Sequence, residues 1–209
     1  ALIDLAARMR EKVSDFSEIE SILIETSHHT HYVIGTGSND PQKFDPFATR
    51  ETLDHSIMYI FAVALEDGKW HHEDSYAPLR AQRPETVELW KKISTVEKEK
   101  WTKLYHDSDP DKKAFGGRVV IKMKNGEEIV DELERANAHT AGAIPFVREN
   151  YVKKFDMLTE KLITREERDR FISVAERLKD LTATEVDQLT VEMPFDNVKE
   201  NRPNNKGIF

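Results

Sequence analysis

The sequence contains no cysteine. Disulfides, thiol nucleophiles and any iron–sulfur cluster held by this chain's own cysteines are thereby excluded. Glycine and proline are sparse, eight of each in 209 residues, which rules out collagen-like and low-complexity chains. No apolar run approaches the roughly 18 residues of a membrane span, so the chain reads as soluble with no membrane partner. No charged-then-apolar signal segment opens it. Positive charge is also short, with 31 Lys and Arg against 39 Asp and Glu and a net charge of −8. Phosphate backbones need concentrated cations, so a nucleic-acid partner is disfavoured. Gly35-Thr36-Gly37 lacks the third glycine and the following helix of a dinucleotide loop, and no Gly-x-Ser-x-Gly elbow occurs.

What is present is an alternation of apolar patterns under a heavily charged surface. The chain starts at Ala1 directly in an amphipathic helix (Leu2, Leu5, Ala6, Met9), which reads as a fragment or a processed chain. Ile19, Ile22, Leu23 and Ile24 mark a largely buried strand over 18–26. One helix is expected over 51–65 on Leu53, Ile57, Ile60, Phe61 and Ala64, closed by Asp67-Gly68. Another follows over 84–93 on Val87, Leu89, Trp90 and Ile93. Val119, Ile121 and Met123 alternate with Arg118, Val120 and Lys122, and Asn125-Gly126 then predicts a hairpin returning through Ile129 and Leu133. Pro145 should open a further helix, and Thr164/Glu167 and Thr182/Glu185 have capping-box spacing. The expected fold is α+β, a small antiparallel sheet with flanking helices.

Eight histidines are the candidates for chemistry. On a strand, His29 and His31 would share a face usable by Zn or Ni, but no carboxylate or further histidine lies nearby at ligand spacing, so no metal is assigned. His55 falls in the opening turn of the 51–65 helix, off its apolar face, with Arg50 near enough to fork onto a carboxylate. Helix N-termini attract carboxylates, and an imidazole beside bound carboxylates suits general-base chemistry. A solvated first-turn histidine and capping threonines at Thr49 and Thr52 are the plainer reading. His139 lies in a loop of small residues before Pro145.

The run Leu53-Asp54-His55-Ser56-Ile57-Met58-Tyr59-Ile60-Phe61-Ala62-Val63-Ala64-Leu65-Glu66-Asp67-Gly68 resembles the hallmark segment of the MmgE/PrpD family. The Tyr105-His106-Asp107 turn, the Lys124-Asn125-Gly126 hairpin and the His139…Pro145 loop follow in the family's order, with Ala138 where the family usually has Gly. The resemblance runs from Leu2 to about Leu189. It implies an α+β lid domain over 1–156, helices over 157–193 returning to an all-helical domain absent from this chain, and an extended or disordered tail over 194–209. It further implies metal- and cofactor-free elimination of water from a small tricarboxylate such as 2-methylcitrate, with no activity or almost none in this portion alone. His55 and Asp54 would be catalytic, and Arg50 and His139 would bind substrate. A cytoplasmic or mitochondrial-matrix homodimer is the corresponding expectation. A decarboxylase acting on cis-aconitate, or a binding or dimerisation module without chemistry, are the alternatives.

Overall fold

The computed structural model describes residues 1–194. The tail expected over 194–209 therefore lies, from residue 195 onward, outside the described residues. Two compact units divide the chain, Ala1–Pro145 and a second beginning at Phe146.

In the first unit the elements run α1 (Leu2–Arg10), β1 (Ile19–Thr26), α2 (Arg50–Asp54), α3 (Ile57–Asp67), α4 (Pro78–Ala81), α5 (Pro84–Lys91), β2 (Ile93–Glu97), α6 (Glu99–His106), β3 (Gly117–Met123) and β4 (Glu128–Leu133). The strands form one sheet in the order β2-β1-β3-β4. Ile19, Ile22 and Ile24 of β1 and Val119, Ile121 and Met123 of β3 are buried on one face. The other face carries cross-strand ion pairs, Arg118 with Glu25 and Lys122 with Glu20. One dry and one wet face is the expected pattern for a sheet covered on one side.

The centre of the core is α3. Eight of its eleven residues are buried, including Tyr59, Phe61 and Leu65, which suits a helix apolar nearly all round. Leu2, Leu5, Ala6 and Met9 of α1 and Leu89 and Trp90 of α5 belong to the same cluster. Each large aliphatic or Phe side chain buried there contributes about 1.5–3 kcal/mol. Gly68 ends α3 in the left-handed region (φ 66°), where a Cβ is disfavoured, and the Arg10 guanidinium donates to the orphan carbonyls of Leu65 and Glu66.

The α+β architecture agrees with the sequence reading, but the sheet is mixed rather than wholly antiparallel. β1 runs antiparallel to β3, and β3 to β4, across the Asn125-Gly126 turn, where Gly126 takes a φ of 88°. β1 and β2 pair in parallel, from Ile22 opposite Ile93 to Thr26 opposite Glu97. Parallel neighbours require a long crossover, and α2 to α5 supply it. The helix expected over 84–93 stops at Lys91, because Ile93 and Thr95 turn their side chains inward as strand residues. The helix expected over 51–65 is two helices. Its break falls at His55 and Ser56, where Ser56 accepts the Tyr59 N–H and begins α3 afresh.

The second unit contains α7 (Arg148–Thr159) and α8 (Arg165–Glu176). α7 starts three residues after Pro145, on Asn150 accepting the Val147 N–H. Thr164 caps α8 by accepting from Glu167 N–H. The Glu167 carboxylate instead holds Arg170 and the Glu192 N–H, which together bring its pKa down to about 2. Phe155 stacks on Phe171 at 5.1 Å, yet Val174 is the one hydrophobic side chain fully buried among the described residues of this unit. Tyr151, Met157, Leu158 and Leu178 are exposed. Two short helices burying so little draw little stability from their own packing.

Candidate active site

The break between α2 and α3 builds the site. His55 adopts φ −102° and ψ 21°, outside helical geometry, and closes α2 rather than opening a long helix. His55 thus lies at the far end of the five-residue α2 rather than in the opening turn of one long helix, and the helix N-terminus beside it is that of α3, capped by Ser56. The bend is pinned from below by Lys43, which is buried. Its Nζ donates to the His55 carbonyl (2.9 Å), and its own carbonyl accepts from Ser56 Oγ (2.8 Å). Asp40 lies 3.7 Å from the Lys43 ammonium and balances its charge.

The imidazole of His55 is exposed, and its Nδ1 sits 2.8 Å from the Glu51 carbonyl oxygen. A carbonyl can only accept, so the neutral ring carries its proton on Nδ1 and leaves the Nε2 lone pair facing out. Arg50 and Asp54 occupy the same short helix. The Arg50 guanidinium lies 5.2 Å over the ring of Tyr76, and its N–H groups make no hydrogen bond or ion pair among the described residues. The Tyr76 hydroxyl donates to Asp54 Oδ1 in a short hydrogen bond. Trp70 meets the Tyr76 ring edge-on at 5.1 Å. Burial first, and then the Asp54 carboxylate, push the Tyr76 phenol above its ordinary pKa, so it remains a donor. A basic imidazole, an open guanidinium and an oriented carboxylate thus share one turn, an arrangement able to hold a carboxylate and move a proton. Tyr76 and Lys43 were not legible in the sequence, because their partners lie 22 and 12 residues away with no spacing to signal them.

His139 stands apart. Its Nδ1 accepts from the Ala141 N–H (3.0 Å), which places the ring proton on Nε2, the reverse of His55. No hydrogen bond, ion pair or ring contact joins it to Arg50, Asp54 or His55 among the described residues.

The His28–His31 run is not a strand end. It enters a π-helical turn over Thr30–Ile34, where residues two apart diverge, so that His29 takes a separate partner while His28 and His31 both pack on Tyr32 at 4.5 Å. His28 meets Glu97 (3.0 Å), His29 stacks on Tyr105 (5.2 Å), and His31 meets Thr95 Oγ1 (2.7 Å). Among the described residues no three His, Asp or Glu are placed to hold a metal ion. Burial lowers the pKa of His31, reinforced by His28 and opposed by Glu97. Because the folded value lies below the unfolded one, the unfolded chain takes up this proton first. Stability should therefore fall as pH drops below the ordinary imidazole value of about 6.5 and level off beneath the folded value. In urea titrations at about pH 7.5 and pH 5, His31→Gln should show a smaller acid-side loss than the wild type. Equal losses would mean that His31 is as readily protonated folded as unfolded.

A family model described as the MmgE/PrpD C-terminal domain matches residues 1–180. The chain belongs to this family. Among curated relatives, a protein of Saccharomyces cerevisiae (strain ATCC 204508 / S288c) named probable 2-methylcitrate dehydratase is 31% identical over 118 residues, 56% of this chain. That match spans 21% of the relative, about a fifth of its length. This MmgE/PrpD chain has no helix, among the described residues, long and apolar enough to cross a membrane.

Proposed function

We propose that, in the complete protein, this chain supplies part of an active site that eliminates water from a 2-methylcitrate-like tricarboxylate to give the conjugated 2-methylaconitate type of product. Support comes first from His55: the Nδ1–H bond to the Glu51 carbonyl leaves the Nε2 lone pair without a hydrogen-bond partner among the described residues. Family membership and the name of the yeast relative point to the same chemistry.

In this reading Arg50 grips a substrate carboxylate through the open edge of its guanidinium. His55 Nε2 takes the proton from the carbon next to the one bearing the hydroxyl. The electron pair of that C–H bond becomes the new C=C bond, and the hydroxyl leaves as water with a proton supplied by a general acid, either His139 Nε2–H or a group in the rest of the protein. The resulting imidazolium stays hydrogen-bonded to the Glu51 carbonyl, which stabilises its charge. Asp54 sets the local field and orients the turn. His139, with its proton on Nε2, is a donor suited to a second carboxylate or to the departing hydroxyl. The remaining groups come from the rest of the protein, to which the helices over 157–193 return in this reading, so the isolated chain has little or no activity. Turnover of 2-methylcitrate by the complete gene product, followed by ultraviolet absorbance of the conjugated product, tests this proposal. Release of carbon dioxide in place of water would reassign the site to decarboxylation.

A further inference from the structure

Arg50 and Asp54 are four residues apart on α2, the separation at which oppositely charged side chains on a helix meet and pair. They do not pair here. Asp54 is occupied by the Tyr76 hydroxyl, and Arg50 lies over the Tyr76 ring. One side chain, reaching in from the turn of Asp74–Tyr76, therefore touches both.

We propose that Tyr76 is a positioning residue that keeps Arg50 and Asp54 from neutralising each other, so that the guanidinium edge stays open to a substrate carboxylate. The inference rests on the reading of Arg50 as a carboxylate grip. The two ends of Tyr76 do different work. The ring is a platform for the cation, firmly seated because Trp70 packs against it edge-on and Tyr59 lies 6.4 Å away, its hydroxyl bonded to the Ser75 carbonyl at 2.5 Å. The hydroxyl engages one Asp54 oxygen, and its raised pKa keeps it protonated throughout the working range. Removal of the whole side chain frees both charges at once, and the intrahelical pair then competes with substrate for Arg50.

The test uses the complete gene product and tricarballylate, a tricarboxylate with no hydroxyl to lose, with its Kd measured by calorimetry beside steady-state kinetics on 2-methylcitrate. Tyr76→Leu is expected to weaken tricarballylate binding and raise KM by about tenfold, the scale of a lost cation–π contact plus a new competing ion pair. Tyr76→Phe keeps the platform and should weaken binding by no more than about threefold. The decisive variant adds Asp54→Asn to Tyr76→Leu. With the competing carboxylate gone, much of the lost affinity should return, a recovery that a purely structural role for Tyr76 would not produce. Additive losses in the double variant, or equal losses for the Phe and Leu variants, overturn the proposal. Tricarballylate binding without turnover of 2-methylcitrate would sink the dehydration reading while leaving the role of Tyr76 to be decided by the same Kd values. No binding by the wild type overturns both.

Discussion

Arg80→Ala destabilises the first unit by about 3 kcal/mol. Arg80 is 6% exposed and ties α4 to Glu66 and Asp67 of α3 and to Thr86 of α5. Its Nε and one terminal nitrogen grip both oxygens of Asp67 at 3.0 Å, and that nitrogen also reaches Glu66 Oε2 at 2.6 Å. The other terminal nitrogen donates to Thr86 Oγ1, whose hydroxyl in turn donates a hydrogen bond to Glu66 Oε2 (2.7 Å). Deleting the cation strands a largely buried Glu66 beside a hydroxyl, and the penalty for an uncompensated buried charge sets the scale. The value sits at the low end of the usual range because the Asp67 side chain is 26% exposed and can recover water. All three tryptophans, Trp70, Trp90 and Trp101, lie in the first unit, so urea unfolding followed by tryptophan fluorescence reports on it directly. A loss below about 1 kcal/mol would place the network among ordinary surface pairs. The anchor also has a functional side, since α4 directly follows the turn that carries Tyr76.

His55→Ala in the complete gene product lowers kcat by about 100- to 10,000-fold, the usual contribution of a positioned general acid–base group. The fold should not notice. The ring is exposed, its one hydrogen bond among the described residues is to a carbonyl of its own turn, and the bend is held by Lys43 Nζ and Ser56 Oγ on backbone carbonyls that the substitution leaves in place. Unchanged thermal unfolding together with a large kcat loss separates catalysis from structure. Loss of both together would instead mean that the side chain holds the bend.

Local signals were readable and distant ones were not. The hairpin was legible because Asn125-Gly126 and the alternation around it concern neighbouring residues alone. β2 was missed because Ile93 continues the helical spacing of Val87, Leu89 and Trp90, and its partner strand lies about 70 residues earlier. The break at His55 was hidden for a related reason. Leu53, Ile57, Ile60, Phe61 and Ala64 keep a helical period across it, although Ser56, a favoured capping residue, marks the place. In the site, Arg50, Asp54 and His55 share one turn and were nominated together. Their supports, Tyr76 and Lys43, arrive from elsewhere in the fold. His139 was nominated from its loop, and the structure defines its tautomer without bringing it to that turn.

The central claim is that this turn serves a dehydration. The most direct measurement is the product formed when the complete gene product is given 2-methylcitrate, with ultraviolet absorbance and trapped carbon dioxide recorded together. Conjugated tricarboxylate should rise with no release of carbon dioxide. No absorbance change, or carbon dioxide in proportion to product, would contradict it.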